Sequence, residues 1–175
     1  DQLLGIRLAK REIEDVNAFF TPRDRGVKRE VATVFSAPTE RLTQCGGPGN
    51  VRLFDSAVSA IEYAHYPQDV LFEPQFTNSL ERISRYKVVV LAGVSATYPG
   101  SWKTLKKWVE NGGRLVVLRE SASLDEYGDR NPEAPDLQPG ENKLGNGTIA
   151  YYPEKLGSMA MAEKIIAAAT SAGVR

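Results

Sequence analysis

A single cysteine, Cys45, and a single histidine, His65, are all that the 175-residue chain offers of two side chains on which much enzyme chemistry depends. One cysteine excludes an internal disulfide and a zinc site built from cysteines of this chain alone. A lone thiol suits either side of a membrane, so the compartment stays open. Excess charge of either sign is missing too, with 22 Lys and Arg against 22 Asp and Glu. That balance speaks against a nucleic-acid partner, which calls for a basic surface. No apolar run approaches the ~20 residues that cross a bilayer, so no membrane partner is expected. The chain starts at Asp1 without a methionine or a signal-like segment, which suggests a processed protein or a piece of a longer one.

What is present is enough apolar material for a sizeable core, 42% of residues, in a length that suits one domain. Residues 1–26 read as an N-terminal connector helix and residues 27–175 as a single domain. In the first segment Ile6, Ala9, Ile13, Val16 and Phe20 draw one apolar stripe at helical spacing, with charges opposite. Such a stripe would pack on something upstream. After it, strands alternate with helices. Strands are expected at 30–36, around "DVLFEP", at 87–93, at 114–118 and at 148–153. Helices are expected up to Ala64 from Asn50 or Asp55, over 79–86, from Pro99 or Ser101 to the Gly112-Gly113 stop, and over 158–172. The runs "KVVVLAG" and "RLVVLRE" are apolar without a break, as in strands covered on both faces. Residues 37–50 read as a long loop, and the proline-rich stretch 129–147 as an extended surface loop or partly disordered. The fold class is therefore α/β: a three-layer, doubly wound, mainly parallel sheet of five or six strands, flavodoxin-like, with helices on both faces and strand order 2-1-3-4-5.

Function in such a sheet belongs at the carboxyl ends of the strands. Here those ends are Ser36 to Arg41, Glu73 to Gln75, Gly93 to Tyr98 and Arg119 to Tyr127. The ligand- or partner-facing candidates among them are Ser36, Glu40, Arg41, Ser95, Tyr98, Glu120, Ser121, Ser123, Asp125, Glu126 and Tyr127. The sharp polar run "ESASLDEYG" invites the reading of a nucleophilic serine. It lacks the glycines of G-x-S-x-G, however, and His65 sits at a helix end, where a cap or surface role suits it better than that of a base. Cys45 lies in "TQCGGPGN", which matches no phosphate-binding fingerprint and reads as a turn. The hydroxyls of Ser36, Thr39 and Thr43 offer a weak phosphate or flavin signal, and Glu40 and Arg41 read as a solvated rim. Glu120, Asp125, Glu126 and Asp129 are too close in sequence to face one another across a sugar and read as a polar rim. Trp102 and Trp108 read as core, Tyr151 and Tyr152 as facing opposite sides of the last strand, and Tyr63, Tyr66 and Tyr98 as half-buried at element ends. No cofactor, metal or catalytic residue is expected.

Several stretches in order carry a family resemblance. "KREIEDVNAFF" leads into "EVATVFS"; "YKVVVLAGVSATYPGSWKTLKKWVENGGRLVVLRESASLDEYG" follows, and then "LGNGTIAYYP" and "AATSAGVR". Together they resemble the class I glutamine-amidotransferase-like domain inside bacterial β-galactosidases, the β-galactosidase trimerisation domain. The resemblance implies a flavodoxin-like fold in which the cysteine nucleophile of true amidotransferases is replaced, near Glu120, with no histidine downstream. It also implies a parent glycoside hydrolase whose carboxylates sit on a separate barrel. The partners it implies are further copies of the chain and that barrel, with carbohydrate nearby. The alternative reading is a small-ligand-binding or hydrolytic domain using the strand-end crevice around Ser95, Glu120 and Ser121.

Overall fold

The computed structural model describes residues 28–174; the expected connector helix over 3–20 lies outside them. The described chain runs β1 (Val31–Phe35), α1 (Ala37–Gln44), α2 (Val51–Tyr63), β2 (Gln68–Phe72), a 3₁₀ turn (Glu73–Gln75), α3 (Leu80–Ser84), β3 (Val88–Ala92), α4 (Ser101–Glu110), β4 (Arg114–Leu118), β5 (Gly140–Leu144), β6 (Gly147–Tyr152) and α5 (Ser158–Ser171). The strands form one six-stranded sheet in the order β2-β1-β3-β4-β6-β5. Every neighbouring pair is parallel except β5 and β6.

Alternation along the central strands explains the three layers. Val89 and Leu91 of β3 and Leu115 and Val117 of β4 join Trp102, Leu105, Trp108 and Ile83 in one buried cluster, under α3 and α4. Val88, Val90 and Ala92 of β3 and Val116 and Leu118 of β4 join Ala57, Ile61, Met161, Ile165 and Ala169 in the other, under α2 and α5. Successive side chains of a strand point to opposite faces, so a strand covered on both sides has no polar position to show. Tyr151 and Tyr152 divide between the two clusters, as expected, and Trp102 and Trp108 are core. Tyr63 is not half-buried but 82% exposed.

Two stretches expected as loops are elements. Residues 37–44 form α1, opened by Ser36, whose hydroxyl oxygen accepts from the Thr39 N–H. Its buried face is only Pro38 and Thr39, so it has no apolar stripe for periodicity to detect. Residues 140–144 form β5, an edge strand that runs antiparallel to β6 through the two-residue turn Gly145-Asn146. Its Glu141 and Lys143 suit an edge, where charge discourages further pairing. The stretch before it is tied down rather than loose. Asn131 is buried, its side-chain amide donates to Thr97 Oγ1 at 3.0 Å, and its Oδ1 accepts from the Glu133 N–H at 2.9 Å.

Candidate functional site

The crevice at the strand ends is built around a set of hydroxyls and one carboxyl that hold the loops together. Thr39, on α1, is the hub of the first loop pair. Its Oγ1 donates to the Ala96 carbonyl at 3.0 Å and accepts from the N–H groups of Ser95 and Ala96, both at 3.1 Å. Ser36 donates to the same carbonyl at 2.7 Å, and Thr43 donates to the Thr39 carbonyl at 2.8 Å. The hydroxyls that carried the weak phosphate signal are therefore engaged within the protein. Ser95 is buried as well, its hydroxyl donating to the Pro48 carbonyl at 2.7 Å.

Glu73 was not singled out in the sequence, and it is the most perturbed group of the crevice. It follows β2 directly and is 1% exposed. Its Oε1 accepts from the Tyr98 N–H and from the Ser101 hydroxyl, both at 2.6 Å, which seats the loop after β3 and the start of α4. Its Oε2 has no hydrogen-bond partner. Burial pushes the carboxyl up from 4.5 to about 7; the bonds from Ser101 and Tyr98 and the nearby Ser36 hydroxyl oppose the rise, and the charge of Glu126 adds to it. The one signal in the sequence was its place: an acidic residue immediately beyond a strand, followed by Pro74.

The turn after β4 has the geometry of a strained elbow. The Glu120 N–H donates to the Leu118 carbonyl at 3.0 Å, and the residue between them, Arg119, has φ 70°. A bond of that span around a positive φ is a γ-turn of the rare, strained kind. Ala122 follows with φ 52°, pinned by Trp102, whose indole N–H donates to its carbonyl at 2.6 Å. The strained position thus falls one residue before Glu120, and it holds an arginine. Arg119 Nε lies 3.8 Å from Glu120 Oε1. Ser121 and Ser123 are half-buried just beyond.

The remaining candidates sit at the rim. Arg41 lies over the Tyr98 ring, 5.7 Å from its centroid, and donates to the phenol oxygen at 3.2 Å. Glu40 accepts from the Gln44 amide at 3.4 Å. Asp125 is committed to its own loop, its Oδ1 accepting from the N–H groups of Tyr127 and Asp129 at 2.9 and 3.0 Å. Tyr127 is 81% exposed. Glu126 bears on the crevice through its charge on Glu73. His65 is at the other end of the sheet. It lies three residues before Gln68, which pairs with Val31 at the start of β1, whereas Ser121 lies beyond the end of β4. Five strand residues, about 16 Å, separate the two levels, so no Ser–His pair forms. Among the described residues, no group of three His, Cys, Asp or Glu is arranged to hold a metal, and none of their helices is long and apolar enough to cross a membrane.

No family model and no curated protein matches the chain. Solved structures do. A β-galactosidase from Bacillus circulans sp. alkalophilus superimposes with a TM-score of 0.70 at 16% identity, covering 85% of this chain and 32% of that one. A catalytic mutant of a GH42 β-galactosidase from G. stearothermophilus gives 0.69 at 15% identity, covering 84% and 30%. The β-galactosidase from the haloarchaeon Halorubrum lacusprofundi gives 0.68 at 15% identity, covering 85% and 31%. The chain spans about a third of the length of each of these proteins. Its fold is that of a domain-sized part of the GH42 β-galactosidases of known structure.

Proposed function

We propose that the chain is a non-catalytic, amidotransferase-like domain of a larger glycoside hydrolase of the β-galactosidase kind, serving self-association and the shaping of a carbohydrate site. The observation that carries this reading is the pairing of that fold with an arginine at the strained turn. In an enzyme of the amidotransferase type, the strain would present a nucleophile. Arg119 is always charged and has no nucleophilic electron pair at neutral pH. A second observation supports association. Tyr63, Val70, Phe72 and Met159 are large apolar side chains left exposed on α2, the β2 edge and α5. A symmetric oligomer reuses one such patch in every copy.

The test has two arms. Glutamine, nitrophenyl esters and nitrophenyl glycosides should give no turnover with this chain. Sedimentation should show an association that Tyr63→Glu with Met159→Glu weakens. Turnover that disappears in Ser121→Ala or Glu120→Gln would overturn the non-catalytic reading, and a monomer at every concentration would overturn the association.

A further inference from the structure

Three locally unfavourable arrangements converge on one cavity beside the crevice. The cavity has a volume of about 210 Å³ and is lined by Arg52, Arg119 and Lys155, together with Asn50, Ser56 and Ser158. No Asp or Glu lines it. The first conflict is Arg119 itself, held at φ 70°, a conformation that strains a non-glycine residue. The second is Arg52 in the first turn of α2, and the third is Lys155 just before the N-cap Gly157 of α5. Helix N-termini carry partial positive charge and favour acidic neighbours. Neither helix has an acidic residue in its first turn, and neither has a side-chain cap. Among the described residues, no carboxylate lies within ion-pairing distance of Arg52 or Lys155, and Arg119 has only the loose 3.8 Å approach of Glu120.

Conflicts between local preference and fold are expected where a sequence serves a ligand rather than its own stability. One ligand class resolves all three at once. We propose that this cavity binds a tetrahedral oxyanion, the phosphate or sulfate group of a small ester. The guanidinium groups of Arg52 and Arg119 supply forked donors suited to such an anion. Lys155 supplies a point charge, and Ser158 supplies a hydroxyl; the Ser56 hydroxyl donates instead to the Arg52 carbonyl, at 3.0 Å. The two uncapped helix starts add to a field that the three cations already set. The volume leaves space for a small body behind the anionic group. This site is separate from the hydroxyl cluster of Ser36, Thr39 and Ser95 and does not depend on the domain's role in a larger enzyme.

The test is a nuclear magnetic resonance titration of isotope-labelled protein with sodium phosphate, sodium sulfate, methyl phosphate and methyl sulfate, each against sodium chloride at matched ionic strength. Saturable shifts are expected at the amides of Arg52, Leu53, Arg119 and Ser158. Tighter binding of the methyl esters than of the inorganic anions identifies an ester ligand; tighter binding of the inorganic anions shows that the free ion is the ligand, which refutes the ester. Arg52→Ala, Arg119→Gly and Lys155→Ala should each weaken binding at least about fivefold. Glycine suits the backbone at 119, so that variant keeps the turn while removing the charge. Lys103→Ala, on α4 across the sheet, should leave the affinity unchanged. Absence of saturable shifts, equal shifts with chloride, or unchanged affinity in the three variants would overturn the assignment.

Discussion

Glu73→Gln tests whether a single buried carboxyl sets the pH dependence of this fold. The folded state holds the group at about 7 against 4.5 in the ordinary state. Between those values the native protein keeps a proton that the unfolded chain has released. Stability therefore falls as pH rises through that window. At about 1.4 kcal/mol per pH unit, the full loss is about 3 kcal/mol, a large share of a domain's usual stability. It is complete just above pH 7. Glutamine keeps an oxygen for the Tyr98 N–H and the Ser101 hydroxyl and never ionises. The assay is urea unfolding of both proteins at pH 5 and pH 8. The wild type should lose about 2–3 kcal/mol more than the variant between the two, part of the full loss falling below pH 5, with the variant the more stable at pH 8. Parallel pH profiles would refute the reasoning, because the carboxyl would then be ionised in the fold at no cost, or solvated.

Arg119→Gly should raise stability by about 1 kcal/mol, the relief at φ 70° being partly offset by the added freedom of the unfolded chain; denaturant unfolding measures it, and a loss of stability would mean that the arginine side chain outweighs the strain. Gly147→Ala should cost more than about 3 kcal/mol, because a Cβ there would meet the carbonyl oxygens of Val109 and Gly113, which are backbone and have nowhere to go; a soluble variant with unchanged melting would contradict the packing of α4 against β6. Thr39→Val should free the loop after β3, removing the acceptor for two amides, and cost about 2 kcal/mol. Amide exchange at Ser95 and Ala96 should speed up, while Val89 and Val116, in the centre of the sheet, stay slow.

The sequence by itself determined the parallel part of the sheet. β3 and β4 announce themselves as unbroken apolar runs joined by a helix, and a right-handed crossover makes such strands parallel neighbours. The stop after α4 is equally local, with Gly112 at φ 107° just past the helix. The turn of the β5–β6 hairpin was written in "LGNG", but β5 is polar and half-exposed, so its pairing becomes visible only beside β6. α1 was hidden for a related reason: its buried face is a threonine that hydrogen-bonds across the crevice. The tertiary structure alone decided what Glu73, Arg119, Arg52 and Lys155 mean. A carboxyl's burial depends on the loops that close over it, and a backbone angle depends on the contacts that hold the turn. A cationic cavity depends on side chains from positions 52, 119 and 155 meeting at one end of the sheet. Local pattern encodes which face of an element is apolar; it carries no record of which distant charges the fold will bring together.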